Sequence, residues 1–446
     1  MIIKNGTELA TTELRKQALA IIEAGINRVL PTNIMNSALS YEPAGRVLAV
    51  AATGYSLAQG RLFVIGGGKA SGLMAETLEG IIPDISAGVV NCKSRDYQTS
   101  KIKVIAAAHP IPDEGGVTGV KEMLALRDSY SIGENDFIIC LISGGGSALM
   151  PCPVDGVSLE DKQKITGLLL GSGAEIGEIN AVRKHLSRIK GGRLGRFYSP
   201  TTVISLVLSD VVGNDLAVIA SGPTFPDPTT FQDAYGVLER HGLLPRAPEC
   251  VTRFLSRGCR GEVAETPKEL SNCDNYIIGD NRLALQAMLE KAQGMGFAPC
   301  IVTAEQKGDT TAVARSRAGE ILGSRYAAYD ALIIGGETTM KLPASAGKGG
   351  RNQHYAVESM LAMKDYPGQW VIAGIGTDGS DFLPDVAGAI VDNSSLAAAE
   401  AMGLDVKSCL EGCDSHTLLD RIGHSLVITG DTGTNVGDVV VYLLAA

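Results

Sequence analysis

Aromatic residues are scarce in this chain, with 1 Trp, 12 Tyr and 8 Phe among 446 residues. Such a composition is a poor one for stacking nucleic-acid bases. The formal net charge is −10, from 39 Lys and Arg against 49 Asp and Glu, which disfavours a polyanionic partner over most of the surface. No apolar run approaches the roughly 18 residues of a membrane span. The N-terminus, Met1-Ile2-Ile3-Lys4-Asn5-Gly6, turns polar without the apolar region of a signal peptide. The nine cysteines are odd in number and include no Cys-x-x-Cys pair; Cys409 and Cys413, four apart, are too weak a pattern for a metal or redox motif. These absences give the expectation of a cytoplasmic protein with reduced thiols, engaging neither nucleic acid nor membrane. His-Glu-x-x-His and Gly-x-Ser-x-Gly are also missing, which takes the main support from zinc-protease and α/β-hydrolase readings.

Glycine, by contrast, is abundant: 54 residues, about twelve per cent where about 7 per cent is average. Many strand-to-helix turns around a parallel sheet would produce that excess. Residues 8–30 carry Leu14, Ala18, Ile21, Ile22 and Val29 at helical spacing, and Pro31 is expected to stop the helix. Thereafter short apolar runs end in Gly or Asp, at 62–65, 88–90, 102–108, 137–142, 203–208, 276–278, 300–303, 331–334, 370–375, 426–429 and 439–444. Most are continuous rather than alternating, as strands covered on both faces are, and amphipathic stretches such as 71–82 and 281–293 lie between them. The expected fold class is α/β, with two α/β domains and largely parallel sheets. Residues 241–273, with Pro245, Pro248 and Pro267 and no clean strand, read as a linker between domains at 1–240 and 274–446.

In open parallel sheets ligands bind beyond the carboxyl ends of strands. The residues there form an unusual set: Gly66-Gly67-Gly68-Lys69-Ala70-Ser71, His109-Pro110-Ile111-Pro112-Asp113, Ser143-Gly144-Gly145-Gly146-Ser147, Ser209-Asp210-Val211-Val212-Gly213-Asn214-Asp215, Gly335-Gly336-Glu337 and Gly376-Thr377-Asp378-Gly379-Ser380-Asp381. One glycine turn alone is ordinary chain reversal. Several, decorated with Lys, Asp and Ser, favour a phosphate cradle of backbone N–H groups aimed by helix N-termini. Gly68-Lys69 is not a P-loop, because its first glycine would fall at Phe63 and Ala70 replaces the required Ser or Thr. Gly374-Ile375-Gly376-Thr377-Asp378-Gly379 fits Gly-x-Gly-x-x-Gly but continues into a polar stretch, not the helix a dinucleotide site needs.

One basic island interrupts the acidic chain. Between Glu178 and Asp210 there are no acids, but there are Arg183, Lys184, Arg188, Lys190, Arg193 and Arg196. Residues 180–190 are expected to be helical with Val182, Leu186 and Ile189 inward, projecting Arg183 and Lys184 toward a carboxylate or phosphate. A glycine approach at 347–350 likewise delivers Arg351 just before a helix over 355–363. Asp210, Asp215, Glu337, Asp378 and Asp381 all follow apolar runs and supply carboxylates for Mg²⁺ or for a general base.

These motifs occur in an order that resembles the glycerate 2-kinase family with a C-terminal MOFRL domain. Gly66–Ser71, His109-Pro110-x-Pro112-Asp113, Ser143–Leu149, Arg183-Lys184-His185-Leu186-Ser187, Ser209–Asp215, Ala220-Ser221-Gly222-Pro223-Thr224 and Gly335-Gly336-Glu337 with Gly349–Gln353 carry the likeness, from about residue 9 to 436. The resemblance implies transfer of the γ-phosphate of ATP to the 2-hydroxyl of D-glycerate with Mg²⁺ or another divalent ion. It also implies a Rossmann-like first domain, an active-site cleft between two domains, and catalysis by Lys69 and Arg351. Beside it stand our own assignments: Asp210 as base or metal ligand; Gly66, Gly67, Gly68, Ser143, Gly144, Gly145, Gly146, Ser147, Asn214 and Glu337 around the nucleotide; Arg183, Lys184 and His109 on glycerate; and Asp215, Asp378 and Asp381 on the metal. The alternatives are an NAD(P)H-dependent hydroxypyruvate reductase, a name often given to this family, and a glycerate 3-kinase. The quaternary state is left open, a homodimer being one expectation.

Overall fold

The computed structural model describes residues 1–343 and 345–445. It divides into two compact units, Ile34–Ile278 and Met1–Asn33 with Gly279–Ala446.

The unit formed by Ile34–Ile278 opens on a small antiparallel sheet of β1 (Leu39–Glu42), β2 (Val47–Val50) and β3 (Thr53–Ser56). Its main sheet comprises β4 (Leu62–Gly67), β5 (Ile85–Cys92), β6 (Ile102–Ala106), β7 (Phe137–Ser143), β8 (Thr202–Leu208) and β9 (Cys273–Gly279), in the order β6-β5-β4-β7-β8-β9. The pairs from β6 to β8 are parallel. Counted within the sheet, this is the 3-2-1-4-5-6 order of a doubly wound fold, whose switch point falls between β4 and β7. Every residue of β4 is buried, which is why its sequence runs apolar without alternation. Phe63 and Ile65 of β4 pack with Ile138 and Ile142 of β7 and with Val120 and Met123 of the helix Glu114–Ser129.

The segment 241–273 does not behave as a linker. Its helix Glu249–Cys259 buries Val251 and Leu255, four residues apart, in a cluster with Val182, Leu186 and Phe231. The compact unit therefore runs through it to Ile278. The expected helix over 180–190 is observed as Ile176–His185, ending where Leu186 caps it.

In the unit formed by Met1–Asn33 and Gly279–Ala446, the sheet comprises β10 (Pro299–Gln306), β11 (Ala331–Gly336), β12 (Gln369–Gly376), β13 (Gly388–Asp392), β14 (Leu426–Val427) and β15 (Asp438–Ala445), ordered β10-β11-β15-β12-β13-β14. Here the expectation of a largely parallel sheet is corrected. Among the described residues only β10 and β11 run parallel; β15 inserts between β11 and β12 in the opposite direction, and β13 returns against β12. Leu332, Ile334, Val440 and Tyr442 pack with Val357 and Met360 of the helix Arg351–Ala362. The period of two turns Ile333 and Val441 to the other face.

Helix Glu13–Arg28 packs on β12, β15 and the helix Asn281–Gly294, so residues 1–33 belong with the C-terminal half of the chain and not with a domain 1–240. Arg15 anchors it: Nε donates to the Leu9 carbonyl at 2.9 Å and Nη1 pairs with the buried Asp392 at 3.1 Å. Gly25 lies against Met288, where a side chain would collide. Pro31 follows this helix and also begins the next, Pro31–Ala38, as a first-turn proline can.

Candidate active site

In the Ile34–Ile278 unit the chemistry gathers at the carboxyl ends of β4 and β7. The chain leaves β4 through Gly66-Gly67-Gly68 and enters the helix Ser71–Ile81 with Lys69 at the turn. Its backbone is pinned to the neighbouring loop. Lys69 N–H donates to the Gly144 carbonyl at 2.8 Å, and Ala70 N–H donates to Ser143 Oγ at 3.0 Å. At Gly145, φ is +78°, and a Cβ there would stand 3.0 Å from the His109 ring and 3.1 Å from Lys69 Cγ. Lys69, His109 and Gly145 are thus brought together at the switch point, each partly exposed.

Other expected cradle residues serve the turn itself. Gly66, Gly67, Gly68, Gly144 and Gly146 are buried, and Ser143 is fully buried with its hydroxyl committed to Ala70. Ser147 is partly exposed and shares a 2.7 Å hydrogen bond with Ser221, which donates to Asn180 Oδ1 at 3.2 Å. Ala220 and Ser221, at φ +50° and +62°, occupy the left-handed region without being glycine, a strain that concentrates at functional sites. Asp210 and Asn214 lie just past β8 and are partly exposed. Asp215 is exposed and accepts from Ala217 N–H at 2.8 Å, a local turn cap.

The two neighbouring cations of the basic island part company. Lys184 is buried and paired with the buried Asp227 at 3.1 Å, so it is an internal strut and not an open anchor. Burial pushes the Asp227 carboxyl up, but the Lys184 charge and the Thr229 hydroxyl and amide hold it below the ordinary range. Arg183 is half-buried and, among the described residues, pairs with no carboxylate; burial lowers its pKa.

In the other unit Arg351 is the first residue of the helix Arg351–Ala362. Its guanidinium grips Asp438 through Nε at 2.6 Å and Nη2 at 2.8 Å, and Nη1 meets Glu337 at 2.9 Å. Burial opposes the charge, yet Asp438 and Glu337 hold it well above the ordinary arginine value. The sheet creates this grip, because Asp438 opens β15 in register with Gly336 of β11 and Gly376 of β12. Asp438 was not among the expected residues; a lone Asp after Gly437 at the start of an apolar strand is a weak signal. A cavity of about 590 Å³ opens beside Arg351, Glu337, Met340, Leu342 and Phe382.

Asp381 is buried at this helix N-terminus, accepting from Asn352 N–H at 3.0 Å and Gln353 N–H at 2.8 Å. Burial, aided by the like charge of Asp438, outweighs those bonds and pushes it up to about 6. Asp378 accepts from Ser380 N–H and Oγ at 3.0 Å each, a side-chain turn. Of the three residues expected at the metal, Asp215 lies in the Ile34–Ile278 unit, while in the other unit Asp378 closes a turn and Asp381 caps a helix. Among the described residues no three His, Cys, Asp or Glu side chains converge. Mg²⁺ at a nucleotide needs only one or two carboxylates beside phosphate oxygens and water; Asp210 in the Ile34–Ile278 unit, and Asp378 and Glu337 in the other, are partly exposed.

The chain matches the family model of a domain of unknown function (DUF4147) over residues 17–256 and that of the MOFRL family over 330–438. A Pyrococcus horikoshii protein named glycerate 2-kinase is 41% identical over 400 residues, covering 87% of this chain and 88% of its own. The chain belongs to the glycerate 2-kinase family with a C-terminal MOFRL domain. A crystal structure of glycerate kinase from Thermotoga maritima superposes with a TM-score of 0.82 at 36% identity, covering 97% of this chain and all of that one. An Agrobacterium vitis relative, 38% identical over 396 residues and covering 86% of this chain and 88% of its own, carries a hydroxypyruvate reductase name instead. Among the described residues no helix is long and apolar enough to cross a membrane.

Proposed function

We propose that this chain transfers the γ-phosphoryl group of ATP to the 2-hydroxyl of D-glycerate, giving 2-phosphoglycerate and ADP. The observation that carries the reading is the placement of Lys69, beside His109 and Gly145, at the carboxyl ends of β4 and β7 in a chain of this family. A phosphoryl group in flight spreads negative charge over its oxygens, and a fixed ammonium on a glycine-rich turn stabilises that charge more than it stabilises bound ATP. The loop hydrogen bonds to Gly144 and Ser143 hold Lys69 in place before substrate arrives. Arg351 is the family's second cation, oriented by the Asp438 fork. A Mg²⁺ ion would neutralise nucleotide phosphate charge, held by one or two of the partly exposed carboxylates Asp378 and Glu337.

Arg183 takes the glycerate carboxylate, as an uncompensated guanidinium suits. With that carboxylate fixed, the adjacent C2 hydroxyl is more restricted than the C3 hydroxyl one bond further out, which favours phosphorylation at C2. Asp210 receives the hydroxyl proton as oxygen attacks phosphorus. The test is to incubate the protein with ATP, Mg²⁺ and D-glycerate and to add enolase. Phosphoenolpyruvate should appear directly. If it appears only after phosphoglycerate mutase is supplied, the phosphate went to C3 and the reading is wrong. Oxidation of NADH by hydroxypyruvate with no ATP-dependent product would put the reductase in its place; the polar loop after Gly376, where a dinucleotide fingerprint needs a helix, speaks against that.

A further inference from the structure

Two lysines stand where the fold should not tolerate them. Lys162 occupies the buried stripe of the helix Leu159–Gly171, three residues before Ile165 and seven before Leu169. It is 6% exposed, and among the described residues its Nζ has no hydrogen-bond partner. Lys190 is 1% exposed, and among the described residues its Nζ donates only to the Ala220 carbonyl, at 3.3 Å, inside the strained 220–222 turn. Arg183, from the helix Ile176–His185 packed on the same elements, repels both lysines, and Lys162 repels Lys190. Cys152 also bears on both amines and Arg193 on that of Lys162; among the described residues no carboxylate pairs with either lysine. An amine buried without a counter-charge is among the costlier arrangements a fold can hold, and two of them beside a half-buried guanidinium gain a rationale if an anion joins them.

We propose that Lys162 and Lys190 complete, with Arg183, a buried carboxylate-binding site that takes the acid group of the acceptor substrate. The inference rests on the kinase reading for the identity of that substrate, but not for the existence of the site. Arg183 is the half-buried member, and both lysines are buried. Before the anion arrives, burial above all holds the Lys162 amine down to about 7; Cys152 pulls the other way, and Arg183 and Arg193 add smaller repulsions. An arriving carboxylate restores its basicity, so binding draws a proton onto the amine. Affinity for D-glycerate should then fall by up to about tenfold per pH unit above neutrality.

Calorimetry on the wild-type protein at about pH 8, in two buffers of different ionisation heat, reads that proton directly. Uptake on D-glycerate binding is expected. Lys162→Met should abolish it and weaken glycerate binding by about tenfold or more, while its melting temperature stays level or rises because a buried unpaired amine has been removed. D-Lactate should compete with glycerate, and glycerol should not. No proton uptake by the wild type overturns the site, and so does a folded Lys162→Met that binds glycerate as tightly as wild type. If that variant fails to fold, the wild-type calorimetry decides alone. Displacement of glycerate by inorganic phosphate but not by D-lactate would make the anion a phosphoryl group and overturn the carboxylate assignment. Proton-coupled glycerate binding without ATP turnover would instead sink the kinase reading and leave this site standing.

Discussion

Replacing Lys184 and Arg183 with methionine, one at a time, should give opposite results although the two are adjacent. The Lys184 and Asp227 side chains are 4% and 0% exposed, and their 3.1 Å pair is internal to Ile34–Ile278. In Lys184→Met the Asp227 carboxylate keeps only the Thr229 amide and hydroxyl at 3.0 and 2.8 Å on Oδ1, while Oδ2 is already buried without a partner. Removing one member of a buried pair typically costs about 3–5 kcal/mol. In a unit of 245 residues each kcal/mol moves the melting temperature by about 2–4 °C, so a drop of roughly 10 °C is expected. The deficit should also depend on pH. Asp227 is held below its ordinary pKa in the native protein, so the pair's stability is present above about pH 4 and lost as pH falls through the folded value. Wild type and Lys184→Met should therefore converge in melting temperature at acid pH. Arg183→Met strands no acid, and its melting should match wild type within a few degrees while the KM for D-glycerate rises by at least about tenfold. Circular-dichroism melts and initial rates check both. A Lys184→Met protein that melts like wild type but binds glycerate poorly would refute the division of roles.

Lys69→Ala should lower kcat by roughly two orders of magnitude or more, as loss of a preorganised charge does, and Lys69→Arg should not rescue it; a raised KM for ATP with intact kcat would confine Lys69 to ground-state binding. Gly145→Ala forces a side chain into the left-handed region at about 1–2 kcal/mol and presses its methyl on His109 and Lys69. Turnover should fall well beyond what the small melting shift explains, and an active Gly145→Ala would show that this close approach is not needed. Arg351→Lys replaces a planar fork with a point charge that cannot reproduce the two-nitrogen grip on Asp438 while also reaching Glu337, so a lower melting temperature and a large loss of kcat are both expected; normal kinetics would remove the fork from the mechanism.

Much of the fold was legible in the chain. All eleven apolar runs fall within or overlap strands, because a strand buried on both faces, such as β4 or β7, must be apolar throughout. The missed strands had the weaker local signals: β1 to β3 are partly exposed and only four residues each, and β13 begins at Gly388. The glycine-rich loops also announced themselves, since close backbone approach at Gly68 and Gly145 restricts the residue type regardless of context. Strand direction in the second sheet was not legible. A buried strand reads the same whether its neighbour runs parallel or antiparallel, so nothing local places β15 between β11 and β12.

What the sequence determined by itself was therefore the alternation of strands and helices, the turns that end them, and the family motifs at those turns. These depend on side-chain periodicity and on steric limits that act within a few residues. Only the tertiary structure decided which cations are free and which are spent. Arg183 and Lys184 are neighbours of like charge in the chain, yet one faces Asp227, 43 residues away, and the other faces no acid among the described residues. Asp381 was equally ambiguous until two backbone amides of a helix beginning 30 residues earlier closed on it. The N-terminal helix, finally, lies on strands built from the other end of the chain, held by Arg15 on Asp392. Charge compensation and packing over such separations belong to the folded chain, because each depends on a partner that no local pattern names.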